Sequence, residues 1–338
     1  MEHRLQEPRI ATHNVRIYAQ CGILLASEQE PNNTDNEYHA NTALPVASPH
    51  GYITYEMIYR YCSMIFIIHS QEVWSLFPLL QDGLPGRVLH HDRQTLLRPG
   101  NYIVLRDSDQ KQISVQLTSE EAPRRVRTND YTTRTQGTKE RDRLQLHLRR
   151  SLCERDTVCA MNTISAFVTS PDRKYRGLEA AHVFPVSQLA QWNRNHYRRY
   201  ITDTSPAVDI GDSGLYSPQN GLLLSKNAHD VFDDFLLGVD PDAGYKIVVF
   251  GQDIIGLGGT CLKDSARNGT NQTNRVSPDL LRWHLRMCVY RNMKANAEPP
   301  PLWEDDLGSD DMGQILEQPD AADRMEVELF TRLGGLVA

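Results

Sequence analysis

The chain has 338 residues, of which 40% are hydrophobic and 23% are charged, enough for one large hydrophobic core or two smaller ones. No stretch approaches the roughly 20 apolar residues that a membrane-spanning helix needs, so no membrane partner is expected. The net charge of −7 disfavours binding to a polyanion, but the charge is unevenly distributed. Residues 296–338 contain eleven acidic and two basic residues, whereas residues 122–150 contain nine basic and three acidic residues.

The cysteines and the N-terminal segment indicate the cellular compartment. The six cysteines include no Cys-x-x-Cys pair, which argues against a structural zinc site. The first residues are polar and lack the apolar core of a signal peptide. We therefore expect reduced thiols in an intracellular protein, either cytoplasmic or nuclear.

The first 120 residues are predicted to form a mainly β region with no motif of known chemistry. Residues 52–69 fit either a strand or a buried helix, whereas the spacing of Trp74, Phe77 and Leu80 predicts a short helix within residues 70–83. Strands are predicted in three further segments, from alternating apolar residues or from flanking turn residues: 13–25, 101–106 and 112–117. The last two of these strands are predicted to pair as a hairpin.

Three further regions follow in the sequence. Residues 121–150 are predicted to be a basic linker that leads into a helix, where leucines alternate with charged residues from position 138 to 153. Residues 151–295 form the next predicted domain and end in an amphipathic helix, for which Ser277-Pro278-Asp279 is a typical start. Residues 296–338 are predicted to be an acidic tail with a terminal helix over 321–333.

The first segment with a chemical pattern spans residues 178–185. It is a short apolar strand that ends in His182 and is stopped by Pro185. A histidine next to apolar residues is usually a packed core residue, so His182 alone indicates no function.

The second such segment spans residues 220–233. It begins with the turn pair Asn220-Gly221, continues as a buried strand and then becomes a helix. On that helix His229 and Asp233 leave the same face one turn apart. A histidine and a carboxylate in this arrangement can share one divalent metal ion.

Together these two segments resemble the HNH (ββα-metal) endonucleases, specifically the second subgroup of that family. The resemblance implies an α+β fold, in which a ββα-metal core with flanking helices follows the mainly β N-terminal region. It also implies that His182 is a general base, that Asn220 braces the loop carrying it, and that His229 and Asp233 bind a single Mg²⁺ or Mn²⁺. Residues 155–159 resemble the strand that precedes the first motif of the subgroup. Further similarity in the stretch around Trp283-His284 extends to uncharacterised fungal proteins that embed an HNH segment.

One position departs from the family pattern. Many family members carry a histidine or aspartate immediately before the general base as another metal ligand, whereas this chain has Ala181 there. Glu179 lies two residues earlier on the same face of the strand and is a candidate auxiliary ligand.

The insertion between the two segments, residues 186–218, is a candidate substrate-binding element. Its first half, 187–200, is predicted to be a basic helix beside the site. Its arginines could hold a substrate phosphate, whereas its aromatic residues could line an apolar pocket. The candidate contacts are Trp192, Arg194, His196, Tyr197 and Arg198.

The sequence leaves three functions open. The first is a metal-dependent endonuclease acting on DNA. The second is an HNH-fold protein used in natural-product biosynthesis as a cyclase of the pericyclase type, which would need no metal and would bind a small apolar metabolite. The third is a non-catalytic interaction protein.

Overall fold

The computed structural model describes most of the chain between residues 15 and 294. The predicted terminal helix over 321–333 and most of the basic linker lie outside the described residues. No helix in the described part is long and apolar enough to cross a membrane. The described ranges are 15–19, 24–28, 51–68, 72–123, 136–161, 175, 177–251, 253, 256–269 and 273–294.

The N-terminal region contains a four-stranded sheet with the strand order β2-β1-β5-β4. β1 pairs with β5 in parallel, while the β1–β2 and β4–β5 pairs are antiparallel. A second, two-stranded sheet pairs β3 with β6. The strands are β1 (Val15–Tyr18), β2 (Leu24–Glu28), β3 (Phe66–Ile67), β4 (Trp74–Pro78), β5 (Gly100–Arg106) and β6 (Gln116–Leu117).

Residues 52–69, which fitted either a strand or a helix, are mainly helical. Helix α1 spans Tyr55–Ile65, and the Thr54 side chain caps it by accepting a hydrogen bond from the Met57 amide. The chain then enters β3 directly.

The prediction of a short helix within residues 70–83 is wrong. Residues 74–78 instead form β4, in which three consecutive residues are buried and pair with β5 residues 26 to 30 positions further along the chain. Leu80, predicted to share one face of that helix with Trp74 and Phe77, is 50% exposed. The hairpin predicted for residues 101–117 is also incomplete: only Leu105 and Gln112 bridge, and β6 turns away to pair with β3.

The central part has the predicted ββα arrangement. Helix α2 (Gln136–Asp156) precedes strand β7 (Leu178–His182), which pairs antiparallel with β8 (Gly221–Ser225), and α5 (Lys226–Asp233) follows at once. Residues 155–159 do not form the preceding strand that the resemblance suggested. α2 continues to Asp156, and just beyond this stretch the Ala160 amide donates a hydrogen bond to the Leu223 carbonyl of β8.

The predicted helix over 187–200 is divided into short pieces. A turn at Val186–Gln188 leads into α3 (Leu189–Arg194), and a second turn follows at Tyr197–Tyr200. His196 interrupts the helix because its φ of 53° lies in the left-handed region. Helix α4 (Ala207–Ile210) completes the insertion.

After α5 the chain forms a β-hairpin and two more helices. These elements are β9 (Leu237–Asp240), β10 (Lys246–Val249), α6 (Asp264–Asn268) and α7 (Pro278–Asn292). α7 is the predicted C-terminal helix and lies on β9. A Cβ atom at Gly238 would approach Leu285 and the Cys288 sulfur to 3.1–3.2 Å, so glycine permits the close packing.

One hydrophobic core runs through the described residues from β1 to α7. Apart from Pro123, these residues belong to one compact unit composed of residues 1–122 and 133–297. Polar contacts also join the N-terminal region to the hairpin. The Tyr52 hydroxyl accepts a hydrogen bond of 2.9 Å from the Val249 amide, and Asp240 is fully buried against Arg60 and the Tyr61 hydroxyl.

Candidate functional site

His182 is the last residue of β7 and lies opposite Gly221 of β8. Its ring is half-buried and meets the Tyr216 ring edge-on, with 5.4 Å between ring centroids. Its Nε2 atom is buried and makes no hydrogen bond to any described residue. A buried imidazole nitrogen without a partner is unusual in a packed protein and marks a site that could receive a proton.

The surroundings of His182 keep its imidazole neutral. Burial lowers the pKa of His182 from 6.5 to about 4, the charge of Asp233 raises it, and His229 lowers it. A histidine that is neutral at pH 7 can act as a general base. His229 contacts the same strand that ends in His182, because its Nδ1 lies 2.8 Å from the carboxylate of Glu179 in β7.

Asn220 holds the loop that follows His182. Its Oδ1 accepts a hydrogen bond of 2.7 Å from the Phe184 amide, and its Nδ2 donates to the carbonyls of Phe184 (3.1 Å) and Leu215 (2.9 Å). Its own carbonyl accepts from the Val183 amide at 2.9 Å. Because Asn220 is fully buried, these bonds fix the backbone after His182 relative to β8.

The helix α5 presents His229 and Asp233 on one face. Ala228 and Phe232, each one position earlier, are the buried residues of this helix and lie on its adjacent face. His229 Nε2 lies 3.3 Å from an Asp233 carboxylate oxygen, and both side chains are partly exposed. The predicted one-turn pairing of these two residues is therefore present.

Glu179 contacts the other nitrogen of His229. Its carboxylate lies 2.8 Å from Nδ1, on the opposite side of the ring from Asp233. Glu179 is thus placed to orient the imidazole, and its role as an auxiliary metal ligand stays a prediction. Burial lowers the pKa of His229, but the hydrogen bonds and charges of Asp233 and Glu179 outweigh burial and raise it to about 9.

The donors at this site suit a divalent cation that keeps most of its own water. Within the described ranges no group of three or more His, Cys, Asp or Glu side chains converges as a metal cage. His229 Nε2 and the Asp233 carboxylate supply two donors, and Ala181 is a fully buried residue that supplies none. Mg²⁺ usually binds in this manner, with one or two protein ligands and with water and a substrate phosphate completing its coordination.

The same stretch of chain matches a known family. Residues 159–240 match the family model described as HNH endonuclease. This chain therefore contains an HNH segment, and its fold is α+β. Comparison with curated proteins and with solved structures gave no match.

Within the HNH segment, the aromatic residues of the insertion pack inward. Trp192 is completely buried, and its indole N–H donates to the Ser213 carbonyl at 3.1 Å. Phe184 lies against Trp192 and the half-buried Tyr197, with centroid distances of 5.0 and 5.5 Å. Trp192 and Tyr197 therefore support the loop that Asn220 holds.

The charged residues of the insertion divide into two groups. Arg194 and His196 are exposed and face solvent. Arg198 is tied to its own loop, because its guanidinium donates to the Ile201 carbonyl at 2.6 Å. The contact of these three residues with a substrate stays a prediction.

Three residues at the site were not identified from the sequence. Tyr216 contacts the His182 ring, Trp283 contacts Phe184 at 4.3 Å, and His284 stacks on Phe232 at 3.7 Å between ring centroids. The amphipathic pattern of α7 predicted only that its apolar face packs on the core. Nothing in the pattern indicated which residues it would meet.

Proposed function

We propose that this protein is a metal-dependent endonuclease that hydrolyses phosphodiester bonds in DNA. The proposal is carried by one arrangement of side chains. His182 ends β7, and the same strand contacts the His229–Asp233 pair of α5 through Glu179. The HNH match over the same residues supports it.

Each residue has a distinct role in this proposal. The His182 imidazole accepts a proton from the water that attacks the phosphodiester. Asn220 keeps the His182 loop in place, and Glu179 holds the His229 ring so that Nε2 faces Asp233. A divalent ion, Mg²⁺ or Mn²⁺, held by His229 and Asp233 would neutralise charge on the scissile phosphate.

A plasmid-cleavage assay with the full chain tests the proposal. We expect nicking of supercoiled DNA with Mg²⁺, Mn²⁺ or Ni²⁺, no nicking with EDTA, and a loss of at least about 100-fold in His182→Ala. His90→Ala is the matched control, because His90 is an exposed histidine of the N-terminal region. Absence of cleavage with every ion, or equal cleavage by His182→Ala, would refute the proposal.

The alternative of a metal-independent cyclase depends on an apolar cavity beside Trp192. Among the described residues, Phe184 and Tyr197 pack against that indole, which has no exposed surface. A cavity of about 280 Å³ does occur next to α2, but Trp192 is not among its lining residues. Its walls include His147, Glu154, Arg155 and Asp203, which are unsuited to a small apolar metabolite.

A further inference from the structure

Helix α7 lies outside the matched HNH segment, yet two consecutive residues of α7 contact both halves of the site. The Trp283 ring packs on Phe184, in the loop that follows His182, with 4.3 Å between centroids. The His284 ring stacks almost parallel on Phe232 of α5, at 3.7 Å and 5°. Phe232 immediately precedes Asp233, so α7 reaches the His182 loop and the helix of the candidate metal ligands together.

The His284 ring is fixed in one tautomer by its neighbours. Nε2 lies 3.1 Å from the Phe232 carbonyl, which can only accept, so Nε2 carries the proton and donates. Nδ1 faces the Cys288 thiol at 3.5 Å, one turn along α7. His284 and Cys288 are both buried, so this chain of contacts is closed to solvent.

A second side chain of α7 holds the end of α5. Asn292 Nδ2 donates to the Phe235 carbonyl at 2.8 Å. Phe235 has a φ of 56°, a left-handed conformation that is costly for a bulky residue and persists only when its surroundings hold it. The turn that ends α5 is therefore secured from α7 at residues 232 and 235.

α7 is itself anchored to the other parts of the site. The Ser277 amide at its start donates to the Gln219 carbonyl at 2.9 Å, next to Asn220. Arg282 pairs with Asp242 through two nitrogens, which ties α7 to the turn after β9. These contacts make α7 a rigid reference for both halves of the site.

We propose that His284 is a positioning residue. By holding the Phe232 carbonyl, it sets the orientation of the last turn of α5 and thereby the place of Asp233 and His229 relative to His182. The use of that geometry for metal binding rests on the proposed function, whereas the holding of α5 does not.

Mn²⁺ titration calorimetry on the full chain tests the metal-binding consequence. His284→Phe keeps the stacked ring and removes the donor, and we expect its Mn²⁺ dissociation constant to rise about 10-fold or more, as for other partners of a ligand-bearing group. His284→Gln restores a donor of similar reach and should remain within about 3-fold of the unmodified protein. If the phenylalanine variant does not fold, His284→Met takes its place.

Two control variants separate positioning from general loss of stability. Arg286→Gln changes an exposed residue of α7, and Leu285→Val weakens the packing of α7 on Gly238 of β9. Both should bind Mn²⁺ as the unmodified protein does. Unchanged affinity in the donor-less His284 variants, or an equal loss in Leu285→Val, would overturn the inference.

Hydrogen exchange separates failure of this inference from failure of the proposed function. The amides of Asp234 and Phe235 bond to α5 carbonyls, and they should exchange about 10-fold faster or more in His284→Phe while β10 amides stay protected. If the unmodified protein binds no Mn²⁺, the metal-dependent function fails, and this exchange result alone decides the inference. Unaltered exchange at residues 234 and 235 would then refute it.

Discussion

At the residue scale, Asn220 shows how one buried amide can define a loop. Three of the four hydrogen-bonding positions of its side chain are used, and every partner is a backbone group near His182 or Leu215. Removing such a side chain destabilises the protein chiefly because buried backbone groups then lack hydrogen-bond partners.

Replacing Asn220 with alanine should therefore be costly to stability. Asn220→Ala leaves the Phe184 amide and two carbonyls without partners, and we expect the free energy of unfolding to fall by about 3 kcal/mol. Urea denaturation measures this change. Asn227→Ala, at an exposed position of α5, is the control and should stay within about 0.5 kcal/mol. A loss below about 1 kcal/mol for Asn220→Ala would show that the amide does not hold the loop.

Glu179 differs from Asn220 because it acts on another side chain, the His229 ring. Because it meets Nδ1 while Asp233 meets Nε2, we expect Glu179→Ala to weaken Mn²⁺ binding by about 10-fold or more through misorientation of the His229 ring. Glu179→Gln should recover most of the affinity, since an amide can still hydrogen-bond Nδ1. Calorimetry measures both, and equal weakening by the two variants would favour direct ligation by the carboxylate instead.

At the element scale, α5 and α7 meet through a buried, uncharged histidine. Burial lowers the pKa of His284 to about 4, whereas the Phe232 carbonyl and the charge of Asp233 raise it. An imidazole with a depressed pKa stays neutral in the folded protein at a pH where the unfolded chain already binds a proton. Acidification therefore favours the unfolded state over the folded state, in which α5 and α7 are in contact.

The stability of the protein should consequently fall on mild acidification. The contribution of His284 is fully present above pH 6.5 and is lost as the pH falls toward about 4, because only the unfolded state gains the proton in that interval. Between pH 7 and 5 this amounts to about 2 kcal/mol. Urea denaturation measures the free energy of unfolding at pH 7 and at pH 5. The decrease between the two should be smaller by that amount in His284→Phe than in the unmodified protein. An identical acid loss in the variant would mean that His284 titrates normally when folded.

At the scale of the whole molecule, the N-terminal region shares its core with the elements that follow the HNH motif. Asp240, at the end of β9, is fully buried and is bonded by Arg60 and Tyr61 of α1. Removing one partner of a buried ion pair leaves an uncompensated charge in the interior. The resulting loss of stability is larger than the stability that the intact pair contributes.

Arg60→Ala should thus destabilise both regions together. We expect a loss of about 2–4 kcal/mol, since the Tyr61 hydroxyl and two backbone amides still solvate Asp240. Hydrogen exchange in α1 and in β10 should accelerate to the same extent. Arg93→Ala, which removes an ion pair on an exposed arginine, should change stability by less than about 0.5 kcal/mol. Faster exchange in α1 alone would indicate that the regions unfold independently.

The sequence alone determined the local arrangement of the ββα segment. An apolar strand ending at His182, the turn at Asn220-Gly221 and the one-turn spacing of His229 and Asp233 are patterns between near neighbours, and backbone geometry converts them directly into structure. The strand, the second strand and the helix all occur at the predicted positions.

Only the tertiary structure decided which distant groups meet. Trp74 and Phe77 have helical spacing but lie in a strand, because pairing with β5 outweighs local preference. No spacing could show that Trp192 is buried, that Glu179 meets Nδ1 of His229, or that α7 supports both halves of the site. Each of these contacts joins residues about 20 to 100 positions apart, and such contacts are chosen by how the whole core packs rather than by the residues alone.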